Sequence, residues 1–513
     1  MSKYLYSLLR VNDSHPSPIY HVPSLKSIAI KSAAYWSVAT LYGLHELSTR
    51  KPVADDIIKA IRENITCRIP ANCADEFVIQ ILKGMDIAFE QSSAGRHLLV
   101  YIGPFIPKHL KTLVVPYCLE QVQIAAILTL PICSSMTELY MERADQSVIT
   151  QGLLCHIVKY LRKLRALALP KQCDDSVIAV VGQNCQHLES IVLNDTAVTN
   201  TGIAWLLCCR RLTTIIMIKT DVSPAGAALL LHGLPYLSVL LYDSMAETLW
   251  YCSIHAAILP KFGVRTVTFS LTDLITPAHF DLLSLVFPDI EWLQLNSGFQ
   301  YTLQGLGYLP KLTLLSINFR GCTLDTYFED VLKRNGSTIK CIQLLEVNID
   351  VAKFEKILVL CPNLETIVLF ECKFRSGHCS IGGKARYPNV KNVQIIRTTV
   401  PLQIVEHLLH ILPNLNRFET DTLELEYSKV SKWLKETCTL KMVRCIKWLG
   451  VEAALSIRKE FANIDLQLDF SIFKNCDIRI VNSPQVLMAE YGDLAPLLDL
   501  TKYAKLDVNH HLS

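Results

Sequence analysis

One apolar spacing constrains this chain more than any other feature. The triplet L-x-x-L-x-L recurs as Leu164, Leu167, Leu169; Leu188, Ile191, Leu193; and Leu212, Ile215, Met217. It returns as Ile290, Leu293, Leu295; Leu312, Leu315, Ile317; Ile339, Ile342, Leu344; and Leu364, Ile367, Leu369. Weaker copies start at Leu110, Met136, Leu237, Val264, Val390 and Leu415. Neighbouring starts lie 22 to 28 residues apart. A step that steady marks a repeat array, because one short unit cannot bury its apolar face alone while stacked units can.

The second half of each repeat carries helix-start chemistry at a fixed offset. Thr199 and Ser223 each follow a repeat start by 11 residues, Thr276 by 12 and Asp350 by 11. All four are residue types that accept a hydrogen bond from the first free amides of a helix. Ser223-Pro224 and Thr276-Pro277 add proline at the first helical position,. Apolar residues at helical spacing follow, such as Ile203, Leu206 and Leu207,. Each repeat therefore reads as a short strand, a turn and a helix of about ten residues.

Composition agrees with a folded array and narrows its partners. Of 513 residues, 50% are hydrophobic and 19% charged, so large-scale disorder is excluded,. Fifty Lys and Arg against 47 Asp and Glu leave a net charge of +3, with no basic excess for a polyanion,. The most apolar run, Ala225 to Tyr242, is broken by His232, Gly233 and Pro235 and falls in the repeat frame, which argues against a membrane span,. The first ten residues are too short an apolar stretch for a signal peptide,. The expectation is an intracellular protein, cytoplasmic or nuclear, with its 18 cysteines mostly reduced and packed as small core residues,. Asn64, Asn194 and Asn335 stand in N-x-S/T sequons, which mean little in that setting.

The repeats resemble the leucine-rich-repeat family, and in detail the cysteine-containing type of F-box/leucine-rich-repeat receptors. Cys185-Gln186-His187-Leu188, Cys361-Pro362-Asn363-Leu364 and Val198-Thr199-Asn200-Thr201-Gly202 carry that resemblance. It implies an α/β solenoid of the ribonuclease-inhibitor-like kind, with parallel strands on the concave side and helices outside. The expected organisation is a helical N-terminal region over 1–105, a solenoid of about 13–15 repeats over 106–470, and a C-terminal cap and tail over 471–513. Weak copies of the frame at Leu440 and near Leu466 fall at its end.

In such a strand the named apolar positions point inward and the alternate ones outward. From the strand at Leu164 to the strand at Val390 only Asp243 is charged among the outward positions. Tyr140, Ile216, Ile218, Asp243, Trp292, Gln294, Asn296 and Phe370 are the candidate substrate-binding residues of the concave face. Trp292 and Phe370 are the natural anchors, since large aromatics dominate interface energetics, unless they pack against neighbours or a terminal tail. Without Lys or Arg to face phosphates, the face suits a protein ligand and not a nucleic acid. Charge is left to the ends of the array, at Glu138, Glu142, Arg417, Glu419 and Asp421.

Two N-terminal stretches add a second resemblance. Leu25, Ala29 and Ala33 lie four apart on one helical stripe, similar to an Elongin-binding box, with Ala29 where that family prefers Cys,. Ile69-Pro70, Cys73 and Phe77 match the spacing of a cullin box. Two such boxes ahead of leucine-rich repeats resemble the Zyg/Zer substrate receptors of cullin–RING ubiquitin ligases. The resemblance implies an Elongin adaptor and a cullin as partners. The armadillo repeats with which those receptors read substrates have no room here. An F-box opening at Ile69-Pro70, with a Skp-type adaptor, is the rival reading, although its later Trp is missing. Plain helical capping of the solenoid is a third.

No motif points to catalysis. Gly377 to Ala385 lacks the Lys-Ser/Thr ending of a phosphate loop and reads as a lengthened inter-repeat connection,. Cys361, Cys372, His378 and Cys379 lack the paired spacing of a zinc site,. The chain is expected to be a non-catalytic interaction module with no cofactor and no metal. It would act as a ligase substrate receptor or, alternatively, as a scaffold or regulatory protein without a ligase link.

Overall fold

The computed structural model describes residues 69–81, 109–115, 135–142, 149–255, 259–269, 275–296, 305–321, 326–374, 386–398, 402–420, 442–445 and 465–467, with a few single positions besides. Two compact units divide the chain, Met1–Gly383 and Lys384–Ser513. The division falls inside the connection that the sequence marks as lengthened, which itself lies outside the described residues.

Each of the thirteen repeat starts is followed two residues later by the first residue of a strand. In the first unit the order is β1 (Thr112–Val114), β2 (Glu138–Tyr140), α1 (Gln151–Tyr160), β3 (Ala166–Ala168), α2 (Asp175–Asn184), β4 (Ser190–Val192), α3 (Asn200–Leu206), β5 (Thr214–Met217), α4 (Pro224–Gly233), β6 (Val239–Tyr242) and α5 (Met245–His255). Then come β7 (Thr266–Phe269), α6 (Pro277–Val286), β8 (Trp292–Asn296), β9 (Leu314–Asn318), α7 (Thr326–Asn335), β10 (Cys341–Leu345), β11 (Asn348–Ile349), α8 (Val351–Leu360), β12 (Thr366–Phe370) and β13 (Lys373–Phe374). The second unit holds β14 (Asn392–Ile396), α9 (Leu402–Ile411), β15 (Arg417–Thr420), β16 (Met442–Cys445) and β17 (Asp465–Gln467). The run over Ala225–Tyr242 is α4 and β6, as the repeat frame requires. Among the described residues no helix is long and apolar enough to cross a membrane.

In the first unit β1 to β10 pair in chain order, and β12 pairs with β10, every pairing parallel. The middle apolar residue of each repeat stays in register, from Leu113 and Leu139 through Leu167, Ile191, Ile215, Leu240, Val267, Leu293, Leu315 and Ile342 to Ile367. That row is buried throughout. In the second unit β14, β15, β16 and β17 pair in parallel in the same way. β11 and β13 form a separate two-residue parallel ribbon. Parallel strands, each followed by a crossover, stacked in sequence at a 25-residue step, constitute the α/β leucine-rich-repeat fold.

The helix starts are where the sequence puts them. Thr199, Ser223, Thr276 and Asp350 are all N-caps. The Asp350 carboxylate accepts from the Lys353 amide at 2.8 Å. Caps also tie one repeat to the next. Asp175, the first residue of α2, accepts from the Thr199 amide at 2.8 Å and from its hydroxyl at 2.6 Å. Asn200, at the start of α3, accepts from the Ser223 amide at 2.9 Å and donates to its hydroxyl at 2.7 Å. These approaches leave no room beside them. A Cβ on Gly202 would collide with the Asp175 carboxylate, and one on Gly226 with the Asn200 side-chain oxygen.

Buried thiols extend the same lateral stitching. Cys185 donates to the Leu161 carbonyl and Cys209 to the Cys185 carbonyl. Burial pushes both thiols, with those of Cys341 and Cys361, up to about 12. One residue ahead of the corresponding place before β10 stands Asn335, whose side chain is fully buried and accepts from the Leu309 amide at 2.7 Å. Its amide nitrogen donates to the carbonyls of Gly307 and Val331, each at 3.1 Å. A sequon asparagine held this way is closed to a glycan.

Candidate functional site on the outward sheet face

The outward side chains of the first unit fall into three rows, because register is kept from repeat to repeat. The middle row runs from Val114 on β1 through Tyr140, Ala168, Val192, Ile216 and Leu241, then Thr268, Gln294, Ser316, Gln343 and Val368. It changes character between β6 and β7. Up to Leu241 it is wholly apolar apart from the Tyr140 hydroxyl. Ala168, Val192, Ile216 and Leu241 form one buried cluster, with Tyr140, Ile218 and Val239 packed against it. From Thr268 to Gln343 the row is polar and uncharged.

The row nearest the strand starts contains Thr266 and Trp292, both buried; Trp292 is 2% exposed. The row at the strand exits serves the turns. Asn194 accepts from the Ile218 amide at 2.9 Å, and Asp243 accepts from the Lys219 amide. Asn318 accepts from the Arg320 amide at 3.1 Å and donates to Glu346. The residues just past this row adopt left-handed backbone without being glycine: Asp195, Lys219, Arg320, Glu346, Glu371 and Arg397 have φ between 43° and 58°. That conformation is strained for a residue with a Cβ, so the hydrogen bonds from the exit row help hold it. Asp243, the single charge on the face, is thus engaged by the turn.

The structure brings Tyr140, Ile216 and Ile218 together on the apolar lane and Trp292, Gln294 and Asn296 together on β8. Phe370 lies half-buried at the end of β12, in register with Asn296 and three strands on from it. Trp292 is not an open anchor: it is covered, and its indole nitrogen has no hydrogen-bond partner. Sequence reasoning places Thr268 outward without making it a binding candidate and does not single out Ser316 or Gln343, although the same outward spacing contains all three. Their signal was positional, since each sits four residues after its repeat start.

The end charges behave differently from the expectation of an open charged rim. Glu138 accepts from the Thr112 and Tyr140 hydroxyls at 3.3 and 3.2 Å. In the second unit Glu419 is buried and pairs with Arg417 at 3.0 Å, so a rim role open to solvent does not apply to it. Asp421 lies outside the described residues.

At the N-terminal end, residues 74–81 are helical and follow a 3-10 turn over Ala71–Cys73. Asp75 accepts from the amides of Lys111 and Thr112 at 2.8 and 3.1 Å, capping the entry to β1. Cys73 and Phe77 are buried by this docking, at 8% and 1% exposed, whereas Ile69 is half-buried and Pro70 exposed. Leu25 and Ala29 lie outside the described residues, and Ala33 is described only as helical and half-buried.

Among the described residues no group of three or more His, Cys, Asp or Glu side chains is placed to hold a metal ion. Cys372 is buried beneath β10 and donates to the Leu344 carbonyl at 3.2 Å.

The fold and this face define a protein with leucine-rich-repeat architecture. No family model matches the chain, and no curated protein matches it. Among solved structures it is similar to an internalin of Listeria monocytogenes, at 13% identity and a TM-score of 0.33, over 79% of this chain and 92% of that one. It is similar to a leucine-rich-repeat protein of Leptospira interrogans, at 13% identity and a TM-score of 0.30, over 72% and 91%. It is also similar to the protein of the TLR13–ssRNA13 complex, at 14% identity and a TM-score of 0.33, over 67% of this chain and 42% of that protein. The fold assignment stands on the strand order, register and repeat step, not on these likenesses.

Proposed function

We propose that the protein is a non-catalytic interaction scaffold whose outward sheet face takes up a polypeptide partner. The observation that carries this reading is the middle outward row, continuous from Val114 on β1 to Val368 on β12, which is uncharged from end to end and passes from an apolar to a neutral polar lane. Such a surface suits packing and amide hydrogen bonds. It offers no cation to a nucleic-acid phosphate. The test is binding of partner peptides to the wild type and to Ile218→Asp, a half-buried position beside the apolar lane. A charge there should weaken binding at least tenfold while the circular dichroism spectrum is kept. Unchanged binding would move the ligand off this face.

A finer reading makes the chain the substrate-recognition subunit of a cullin–RING ubiquitin ligase. What supports it is the order of the two N-terminal boxes ahead of the repeats, with Pro70 exposed and Ile69 half-buried just before the helical cap. The use of Cys73 and Phe77 by the fold leaves that docking with fewer contacts than the box implies. Co-purification of Elongin or Skp-type adaptors with the wild type and with Leu25→Asp tests it. Absence of both adaptors from the wild type would leave the scaffold reading alone.

A further inference from the structure

Buried polar side chains in a folded protein are almost always paired, so an unpaired group asks for an explanation. Three such groups meet on two adjacent strands of the outward face. The Trp292 indole Nε1, the Gln294 Oε1 and the Thr268 Oγ1 are all buried and without a hydrogen-bond partner. Thr268 and Gln294 stand opposite each other on β7 and β8. Trp292 and Gln294 are two residues apart on one strand and share its outward side. The Gln294 amide is oriented from behind: the Asn296 nitrogen donates to the Phe269 carbonyl at 3.2 Å, and the Asn296 oxygen takes the Gln294 nitrogen at 3.4 Å. With its nitrogen so engaged, the buried Gln294 oxygen is left as an acceptor without a partner.

We propose that Thr268, Trp292 and Gln294 form a recognition site for the backbone of an uncharged, extended peptide segment presented by the partner protein. The inference rests on the outward-face reading above and names the ligand chemistry of that face. Trp292 supplies one donor and Gln294 one acceptor, on residues whose Cα atoms stand about 6.6–6.8 Å apart along the strand. An extended polypeptide repeats its carbonyl and amide groups at the same interval, so one peptide carbonyl can accept from Trp292 while an amide two residues on donates to Gln294. The Thr268 hydroxyl both donates and accepts, and serves either group. Immediately before these strands, Ile216 and Leu241 extend the face as an apolar floor for the peptide's side chains. A charged ligand finds no counter-charge here. The free chain shields the three atoms, so the peptide must displace that shielding as it enters.

The experiment uses the full chain and a displayed library of decapeptides in three pools: neutral, acidic and basic. Enrichment from the neutral pool supports the ligand class, and enrichment from a charged pool overturns it. Affinities of the selected peptides are then measured by calorimetry for the wild type and for Trp292→Phe, Thr268→Val and Gln294→Met. Thermal melting of each variant is recorded without peptide. Trp292→Phe should weaken binding about tenfold or more. Thr268→Val and Gln294→Met should weaken binding yet melt no lower than the wild type, because each replaces an unpaired polar atom by an apolar one of similar size. Lower melting of both would show that the atoms are satisfied within the free protein and overturn the site. Peptides that lose affinity for Ile218→Asp but not for Trp292→Phe leave the outward-face reading standing and remove this one. Peptides indifferent to both substitutions remove both.

Discussion

Replacing Asn335 by Ala tests how tightly the repeats on either side of the polar lane are tied. Asn335 ends α7, and its side chain reaches back to the segment that enters β9, accepting from the Leu309 amide and donating to the Gly307 carbonyl. Both bonds cross from one repeat to its neighbour. Alanine removes the acceptor and leaves a buried amide unpaired, which costs about 1–3 kcal/mol. The Gly307 and Val331 carbonyls each lose a donor, and the void left by the side chain adds to the loss. The sum is about 2–4 kcal/mol. Asn363 provides the control. It also donates to a carbonyl of the preceding repeat, that of Ser337 at 2.8 Å, but at an exposed site where water can take its place. Asn363→Ala should cost less than about 0.5 kcal/mol. The assay is urea unfolding followed by circular dichroism. With a slope of about 3 kcal/mol/M, a 3 kcal/mol loss moves the midpoint by about 1 M. Because Asn335 fixes the approach of β9 to β10, which carry Ser316 and Gln343, the variant should also bind partner peptides less well. Equal midpoints for the two variants would refute the assignment of Asn335 as a buried inter-repeat tie.

Three further outcomes follow from the same contacts. Gly202→Ala should destabilise the first unit by about 1–3 kcal/mol through its collision with Asp175, although alanine is the better helix former by about 1 kcal/mol,; a higher urea midpoint for Gly202→Ala would contradict the close approach. Burial beside Trp250 holds the His279 pKa below its ordinary value, and its Nδ1 accepts from the Thr276 amide at 3.0 Å in the neutral ring. The folded state therefore takes up the proton less readily than the unfolded chain, and the cap of α6 loses stability as pH falls below about 6.5. Protection of residues 277–286 against hydrogen exchange, taken relative to the intrinsic rate at each pH, should fall between pH 7.5 and 5.5 in the wild type and change less in His279→Gln; equal pH dependence in the two would remove the histidine from the account. Iodoacetamide at pH 8 should label exposed Cys208 in the native protein and spare Cys185, Cys209 and Cys361, which burial keeps protonated,. Peptide mass spectrometry reads the pattern, and native labelling of Cys209 ahead of Cys208 would reverse the assignment.

Much of the fold was legible because its signal is repetitive. A single L-x-x-L-x-L match means little, but thirteen at a steady step averaged out local irregularity, and every one precedes a strand. The four N-caps were legible for a local reason, since Ser, Thr and Asp ahead of a helix act within three residues of themselves. The candidate site was legible only in outline. Alternation tells which side chains leave the core, not which of them the face then covers, so Trp292 read as an open anchor and proved buried. The shift from an apolar to a polar lane appears only when equivalent positions of successive repeats are set side by side, and Ser316 and Gln343 went unnoticed, and Thr268 unweighted, for that reason. Asp75 could not be assigned from sequence at all, since its partners lie 36 and 37 residues away. Nor could the burial of Glu419, which depends on its neighbours in space.

Four of the bonds between repeats in the first unit share a direction along the chain. The acceptor on Asp175 waits for the Thr199 amide, the acceptor on Asn200 for the Ser223 amide, and the carbonyls of Leu161 and Cys185 for the thiols of Cys185 and Cys209. In each of these four the receiving atom belongs to the earlier repeat, while Asn200 also donates forward to the Ser223 hydroxyl. A polypeptide is synthesised from its N-terminus, so each repeat leaving the ribosome meets a finished template for its helix start and its thiol. Growth in that direction adds one paired layer at a time, whereas the reverse order would hold each new helix start open until its predecessor arrived. Between Leu161 and Ser223, these four contacts thus favour assembly in the direction of translation.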